Sequence, residues 1–208
     1  MARSTGRMRK DSERGADAGA AERRKQILTE AGKLFAARGF EGASMREIAA
    51  ATGLLSGSLY YHFASKEELF VAVYDANIRM VSEAVRKAIE GVEGAWARLE
   101  AAAIAHCETL LTGDRTAVLD VKFPPGLLGV RPRLIQSRDE HDRLFDSLIE
   151  PLDLPDDVNR NLFRLHVLGA LNSAVIWYRP SSHLSPADVA RHVIGVLRYV
   201  RKGNTPAT

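Results

Sequence analysis

One stretch of this chain, residues 44 to 70, constrains the fold more than any other, because it combines closely spaced signals for helix starts and for a turn. It reads SMREIAAATGLLSGSLYYHFASKEELF. Ser44, with Glu47 three residues later, is a capping box that predicts a short helix from Met45. Gly53 then supplies a position where the backbone can take a positive φ angle. The pattern predicts a helix-turn-helix, whose second helix has a shape that fits the DNA major groove.

The second helix of this unit is predicted over residues 56 to 62. It opens with Ser56-Gly57-Ser58, whose small side chains would let the helix N-terminus come close to a nucleic acid backbone. That terminus also attracts phosphate. Leu59 and Phe63 lie four residues apart, so both are expected to face a core and to anchor the helix.

A third helix is predicted to start at Lys66, because Ser65 and Glu68 form a second capping box. Apolar residues then recur at helical spacing as far as Ile89, and Gly91 follows. A long helix that leaves a helix-turn-helix is a natural lever between two domains.

Upstream, apolar residues at helical spacing predict a helix from about Ala21 to Arg38, ended by Gly39. Residues 1 to 20 contain few apolar side chains, which predicts a disordered arm. Its basic residues are Arg3, Arg7, Arg9, Lys10 and Arg14. Two interpretations stay open for this arm: a segment that lies along DNA phosphates, or an inert leader.

The helix-turn-helix region resembles the tetracycline-repressor (TetR) family over roughly residues 24 to 72. The resembling residues are Phe35, Gly39, Phe40, Ser44, Ile48, Ala49, Gly53, Gly57, Leu59, Tyr60, His62, Phe63, Lys66, Glu67 and Leu69. The resemblance implies an all-α homodimer. It further implies an N-terminal three-helix DNA-binding domain, expected over residues 21–68, and a helical effector-binding and dimerisation domain, expected over residues 69–203. Ser56 departs from the family pattern, since many members carry a longer polar residue there, and this leaves the operator sequence open.

The same resemblance implies which residues contact DNA. Tyr60, His62 and Lys66 resemble the family's phosphate-contacting positions. Arg46, on the neighbouring helix, is a candidate for a phosphate or a guanine edge. The predicted contacts to a double-stranded, pseudo-palindromic operator are Ser44, Arg46, Ser56, Gly57, Ser58, Tyr60, Tyr61, His62 and Lys66, with Ser56, Ser58 and Tyr61 as candidates for base or sugar contact.

The following part of the chain is predicted to consist of further helices. One spans about Ala95 to Leu111, a short one is expected from Asp114 to Val121, and another runs from near Arg133 to Glu150. Two faces are defined by spacing: Trp96, Leu99, Ala103, His106 and Leu110 on the first of these helices, and Leu134, Arg138, His141, Phe145 and Leu148 on the last.

Two more helices close the chain. The first is predicted from Pro155 or Asp156 to about Tyr178, and the second starts at a capping box formed by Ser185 and Asp188. The second carries an apolar stripe of Val189, Val193, Val196 and Val200, and the first carries small residues at Gly169, Ala170, Asn172 and Ser173. Two such helices from each subunit would build a four-helix dimer interface. Ordinary packing within one chain is the alternative.

The segments GALNSAVIWYRP and LSPADVARHV also resemble the C-terminal region of TetR-family regulators of lipid and steroid breakdown, some of which respond to acyl-coenzyme A thioesters. This implies a bulky, partly apolar small-molecule effector, such as an acyl-coenzyme A or another lipid-like compound. The candidate ligand-binding residues are Trp96, Leu99, Ala103, His106, Arg138, His141, Phe145 and Trp177. For His106 and His141, the alternative is a core histidine satisfied by a local hydrogen bond.

Composition narrows the class of protein. The chain has 208 residues with 46% hydrophobic content, enough for one large or two small domains. Its single cysteine, Cys107, rules out an intrachain disulfide, and neither a signal peptide nor an apolar membrane-spanning run is present, so the expected compartment is the cytoplasm. Up to Lys66 basic residues outnumber acidic ones, which predicts that the nucleic-acid face lies at this end.

No catalytic motif and no metal-ligand spacing occurs in the sequence, so neither a catalytic residue, a metal nor a cofactor is expected. An enzyme is the alternative from another class of function. A nearer alternative is a regulator without an effector, or an activator instead of a repressor. The long connection over residues 122–133 favours a ligand-binding protein, because loops of this length tend to serve a site.

Overall fold

The computed structural model describes residues 4–112, 124–181 and 183–202, and over these ranges it is all-α, as predicted. The helices are α1 (Ser4–Gly42), α2 (Met45–Ala51), α3 (Ser56–His62), α4 (Lys66–Ala88), α5 (Ala95–Thr112), a 3-10 helix (Pro125–Val130), α6 (Arg131–Ile149), α7 (Arg160–Trp177) and α8 (Pro186–Lys202). Among the described residues no helix combines the length and the apolarity that a bilayer crossing needs.

Helix α1 begins at Ser4, so the predicted start near Ala21 was wrong. Gly39 interrupts it as expected, with φ 70° and ψ 174°. The chain changes direction there because glycine tolerates the left-handed region without a steric penalty. Disorder of the arm when the chain is free, and its contact with DNA, stay predictions.

Helix α7 starts later than predicted. The Asn159 side chain caps it by accepting a hydrogen bond from the Leu162 amide at 3.0 Å, and the residues just before it form a turn. The predicted start at Pro155 or Asp156 was wrong because a side-chain cap further along fixes the first turn. The short helix predicted from Asp114 to Val121 lies outside the described residues.

Two apolar cores occupy the described part of the chain. The N-terminal core contains Ile27, Phe35, Phe40, Ile48, Leu59, Phe63, Leu69, Phe70 and Ile78. The C-terminal core contains Val81, Val85, Leu99, Ala103, Phe145, Leu148, Leu168, Leu171 and Ile194. Helix α4 contributes to both cores, so it joins them as one continuous rod.

The two cores are also joined by a second connection. Leu127 on the 3-10 helix and Leu134 on α6 are fully buried in the N-terminal core, although they follow α5 in the chain. The Gly126 amide donates to Glu41 Oε1 at 3.3 Å beside them. The 3-10 helix that precedes α6 thereby contacts the end of α1.

Candidate nucleic-acid interface and effector core

The helix-turn-helix is held by short-range hydrogen bonds. The Glu47 amide donates to Ser44 Oγ at 3.3 Å, and the Ser44 amide donates to Glu47 Oε2 at 3.1 Å, which is the predicted capping box. The hydrogen bonds from Ser44 lower the pKa of Glu47. Gly53 takes φ 66° in the turn. These contacts fix α2 before any partner binds.

Helix α3 presents one face to its own core and the other to solvent. Leu59 and Phe63 are buried, as predicted from their spacing. The predicted base- or sugar-contacting residues lie on the exposed side: Ser56, Ser58 and Tyr61, the last 88% exposed. Gly57 and Tyr60 are exposed with them, and His62 is half-buried. The structure therefore brings the α3 candidates together on one accessible surface.

Two further candidates have additional roles. The Lys66 ammonium donates to the carbonyls of Phe40 at 2.9 Å and of Ala43 at 3.1 Å, and it lies 4.3 Å from the centre of the Phe40 ring. Lys66 thus satisfies two backbone carbonyls at the end of α1. A phosphate contact would have to use the third N–H donor of its ammonium group. The Ser44 hydroxyl is bonded to the Glu47 carboxylate at 2.7 Å, whereas Arg46 is exposed.

The second capping box is only half formed as predicted. Ser65 Oγ accepts from the Glu68 amide at 3.2 Å, but the Glu68 carboxylate pairs with Arg133 on α6 at 2.5 Å. The predicted reciprocal bond is replaced by a link between α4 and α6.

Sequence patterns did not single out Leu55 as a residue of this surface. It occupies the N-cap position of α3 and is 81% exposed. The signal that could have identified it is the absence of a capping side chain at the start of the second helix, where Ser, Thr, Asp or Asn is usual.

The C-terminal core contains a line of polar side chains from four helices. Ser82 Oγ on α4 lies 2.9 Å from His141 Nδ1, His141 Nε2 on α6 lies 3.2 Å from His106 Nδ1, and His106 Nε2 on α5 lies 2.8 Å from Asn172 Oδ1 on α7. We call these four residues the polar chain. With Asn172 Oδ1 as acceptor, each imidazole donates from Nε2 and accepts at Nδ1, and Ser82 donates to His141. Every bond is satisfied when both rings are neutral.

Burial keeps both rings neutral. Loss of hydration, reinforced by the nearby His141, lowers the pKa of His106 to about 3. Loss of hydration, reinforced by Arg86, lowers the pKa of His141 to about 4. The prediction of buried histidines is confirmed, but each ring has two hydrogen-bond partners where a single local one was expected. Ser82 and Asn172, which complete the chain, were not identified from sequence as its partners.

The predicted effector residues separate into two groups. Leu99, Ala103 and Phe145 are fully buried, and the Phe145 ring centre lies 5.8 Å from that of His106 and 5.1 Å from that of His141. The Phe145 ring packs against both imidazoles, and Leu99 and Ala103 belong to the same buried core. A ligand that contacts them has to separate them first.

The remaining three predicted effector residues are less buried, although Trp96 still packs against the C-terminal core. Arg138 is exposed, so its placement on the buried face of α6 was wrong, and its charge is solvated at the edge of that face. Trp177 is 51% exposed at the end of α7. Trp96 is half-buried, edge-to-face with Phe163 at 6.3 Å.

A half-open cleft of about 390 Å³ lies elsewhere, between α1, α4 and α6. Arg24, His62, Arg79 and Arg133 are among its lining residues, and the predicted effector residues are not. The described residues contain no cluster of three or more His, Cys, Asp or Glu that could hold a metal ion. Burial raises the pKa of the Cys107 thiol to about 12, so this thiol is protonated at neutral pH.

Family models match most of the chain. Residues 27–73 match the model described as "Bacterial regulatory proteins, tetR family". Residues 92–199 match the model described as "Tetracyclin repressor-like, C-terminal domain". The first match contains the helix-turn-helix, and the second contains His106, His141 and Asn172 of the polar chain.

Individual proteins are similar over most of their length. The HTH-type transcriptional repressor KstR2 of Mycobacterium tuberculosis is 28% identical over 183 residues, which cover 84% of this chain and 90% of that protein. The solved structure of that protein, a ketosteroid transcriptional regulator, has a TM-score of 0.66 at 25% identity, with coverage of 84% and 94%.

Two other solved structures share the fold. The TetR-family regulator PfmR from Thermus thermophilus has a TM-score of 0.68 at 27% identity, covering 86% of this chain and 98% of its own. AibR, solved in complex with isovaleryl coenzyme A and operator DNA, has a TM-score of 0.69 at 22% identity, with coverage of 84% and 97%. The likeness to AibR is a likeness of fold.

Proposed function

Since this chain belongs to the tetR family of bacterial regulatory proteins, we propose that it is a dimeric transcriptional repressor that a partly apolar effector releases from a pseudo-palindromic DNA operator. Residues 21–68 form the DNA-binding domain and residues 69–203 the effector-binding and dimerisation domain. The observation that carries the proposal is the exposed side of α3, which is held in place by the capped α2 and by the buried Leu59 and Phe63.

In the proposed DNA-binding role, residues of the exposed side of α3 make two kinds of contact. Ser56, Ser58 and Tyr61 face base edges or sugars, while Tyr60 and His62 contact phosphates and set the register. Two copies of α3 enter successive major grooves, so they sit about 34–36 Å apart, or at a multiple of that spacing, when the dimer is bound. The similarity to KstR2, which is described as a repressor, supports repression over activation.

The dimer interface of the proposed regulator is formed by α7 and α8. Both helices expose large apolar side chains: Leu162, Leu165, Ile176 and Trp177 on α7, and Val196 and Tyr199 on α8. We call this set the dimer face. A group of large exposed apolar side chains on two neighbouring helices is typical of a contact with another protein surface. A second copy of the same chain, related by two-fold symmetry, would cover the exposed apolar side chains of both helices.

The effector enters the core beside the polar chain and separates Phe145 from the two imidazoles. Its class is an acyl-coenzyme A or another lipid-like compound, since AibR is described in complex with isovaleryl coenzyme A and KstR2 as a ketosteroid regulator. The lining is largely apolar, which suits an acyl chain or a ring system. The neutral imidazoles can hydrogen-bond a carbonyl group of such a ligand.

The link from effector to DNA runs through Ser82. This residue is on α4, whose first turn carries Lys66 and follows α3 directly, and its hydroxyl is bonded to His141 on α6. A ligand that takes over a bond of His141 would free α4 to shift relative to α6. Coupling of about 1–3 kcal/mol, typical of allosteric proteins, gives a 5–150-fold change in DNA affinity.

Fluorescence anisotropy with a labelled duplex, recovered by the protein itself from a random-sequence pool, tests both parts of the proposal. We expect saturable binding that weakens steeply with salt, and weaker binding when an acyl-coenzyme A or a free fatty acid that raises the melting temperature is added. Ser82→Ala should leave DNA binding intact and reduce the effect of the ligand. Failure to select any duplex would remove the DNA-binding proposal, whereas ligands that stabilise without releasing DNA would remove only the switch.

A further inference from the structure

Leu55 is an exposed apolar residue at the start of the recognition helix α3. Its side chain is 81% exposed, and it occupies the N-cap position. A leucine side chain cannot accept a hydrogen bond from the first amides of the helix, unlike Ser, Thr, Asp or Asn. Other helices of this chain use such caps, at Ser44, Ser65, Asn159 and Ser185. Neither burial nor capping therefore accounts for a leucine here.

The backbone holds this leucine in a defined position. The Leu54 amide donates to the Ala49 carbonyl at 2.9 Å, and the Leu54 side chain packs against the N-terminal core. The Leu55 carbonyl accepts from the amides of Ser58 at 2.9 Å and Leu59 at 3.2 Å. Anchored on both sides, Leu55 projects from a fixed turn.

Its surroundings leave the leucine accessible to a large partner. Ser56, Gly57 and Ser58 follow it, and all three are short and exposed. In helix-turn-helix proteins the N-terminal residues of the second helix contact base edges in the major groove. Leu55 therefore lies at the end of α3 that faces the bases when this unit is docked.

The chemistry of the side chain limits what it can recognise. Leucine has no donor or acceptor, and the feature of the major groove that offers an apolar contact is the C5-methyl group of thymine. We propose that Leu55 reads a thymine in each operator half-site through this methyl group. This inference rests on the proposed DNA-binding function and adds to it the class of base that Leu55 selects.

Replacement of single thymines by deoxyuridine tests this contact, because deoxyuridine lacks only the methyl group. The probe is the duplex that the full-length protein selects from a random-sequence pool. At one thymine per half-site we expect about fourfold weaker binding after the replacement, the loss that removal of one methyl from an apolar contact produces. Every other thymine should show little change.

Leu55→Ser is the decisive variant, because it restores a side chain that can cap α3 and removes the apolar contact. We expect it to keep or raise the melting temperature, to bind the thymine duplex more weakly than the wild type, and to bind the thymine and deoxyuridine duplexes equally. Leu128→Ser is the matched control, since Leu128 is a 62% exposed leucine on the 3-10 helix. That control should keep the fourfold discrimination.

Any other result contradicts either the role of Leu55 or the proposed DNA-binding function. If Leu55→Ser discriminates the two duplexes as well as the wild type does, another residue reads the methyl group. If no thymine is sensitive in the wild type, or if Leu55→Ser binds as tightly as the wild type, Leu55 reads no thymine. If no duplex is selected at all, the proposed DNA-binding function itself fails.

Discussion

At the scale of single residues, the neighbouring imidazoles of His106 and His141 respond to pH in a direction that burial sets. The pKa of His106 is lowered to about 3 and that of His141 to about 4, whereas an unfolded histidine titrates near 6.5. Between these values the folded state binds fewer protons than the unfolded state. The stability that depends on neutral rings is fully present above about pH 6.5 and is lost as the pH falls toward 4.

We therefore expect the free energy of unfolding to fall from about pH 7 to about pH 5, by roughly 1 kcal/mol per pH unit for each histidine. In the double variant His106→Leu/His141→Leu this slope should largely disappear, because neither titrating imidazole remains. The variant should still fold, since Ser82 can bond its own helix backbone and Asn172 is partly exposed. Urea denaturation across the pH range measures both proteins, with the exposed His183 replaced by Leu as a control. An unchanged slope in the double variant would assign the acid sensitivity to the carboxylates.

Lys66 combines a structural role with a proposed phosphate contact, and Lys66→Ala tests both. Lys66→Ala removes the donor of the bonds to the Phe40 and Ala43 carbonyls, so we expect a loss of about 1–2 kcal/mol in stability. If the lysine also contacts phosphate, the salt dependence of DNA binding should become shallower by about one unit of slope. An unchanged slope with a lowered melting temperature would leave Lys66 with the structural role alone.

Sequence periodicity predicted the burial of both histidines but not their pairing. Spacing places His106 with Leu99 and His141 with Phe145 on apolar faces, because each pair lies seven or four residues apart. It does not give the offset between the axes of α5 and α6. That offset is what places His106 Nδ1 3.2 Å from His141 Nε2. The prediction for Arg138 was wrong for a related reason, because a residue at the edge of a helix face can point its charge into water.

At the scale of elements, the 3-10 helix is pressed against the end of α1. A Cβ atom at Gly126 would lie 2.8 Å from Phe40 Cε1 and 2.7 Å from Glu41 Oε1. The Phe40 ring is buried between the rings of Phe35 and Phe70. Small displacements of the 3-10 helix therefore reach the residues that precede α2.

Gly126→Ala should lower stability by about 1–3 kcal/mol, the usual penalty for overpacking, because the Phe40 ring has to move. Gly129→Ala is the matched control, since a Cβ there meets no atom within 4 Å among the described residues. Thermal unfolding of both variants measures the difference. Equal melting temperatures would mean that the contact yields without strain.

Helix boundaries were predictable where a full capping box marks the first turn. The capping boxes at Ser44 and Ser185 gave the starts of α2 and α8, and both boxes are present in the structure. The start of α7 was missed because Asn159 competes with an earlier proline and aspartate for the cap position, and sequence alone does not rank them. The joining of Leu127 to the N-terminal core was also beyond periodicity, since it is a contact between distant segments.

At the scale of the whole molecule, the dimer face decides the oligomeric state. We expect Ile176→Glu and Tyr199→Glu to produce folded monomers, because an unpaired charge in a packed interface costs several kcal/mol. Both side chains are 76% exposed in the single chain, so the fold should tolerate the change. Val193 is a poorer choice, since it packs partly against its own core.

Sedimentation equilibrium distinguishes monomer from dimer, and circular dichroism checks that the helices remain. Met80→Glu is the control, because Met80 is exposed on α4, outside the dimer face. If both interface variants stay dimeric, another surface joins the subunits.

The burial of Leu127 and Leu134 against Phe40 and Phe70 limits how this protein can be taken apart. A chimaera that exchanges residues 21–68 with those of a relative would leave Leu127 and Leu134 behind, together with the core residues of α4 from Leu69 to Ile78. Its first core would be mispacked, even though the exchanged segment is contiguous in the chain. Grafts of residues 21–78 together with residues 124–134 should express as soluble protein, while grafts of residues 21–68 alone should aggregate. The portable DNA-recognition module of this protein is discontinuous in sequence.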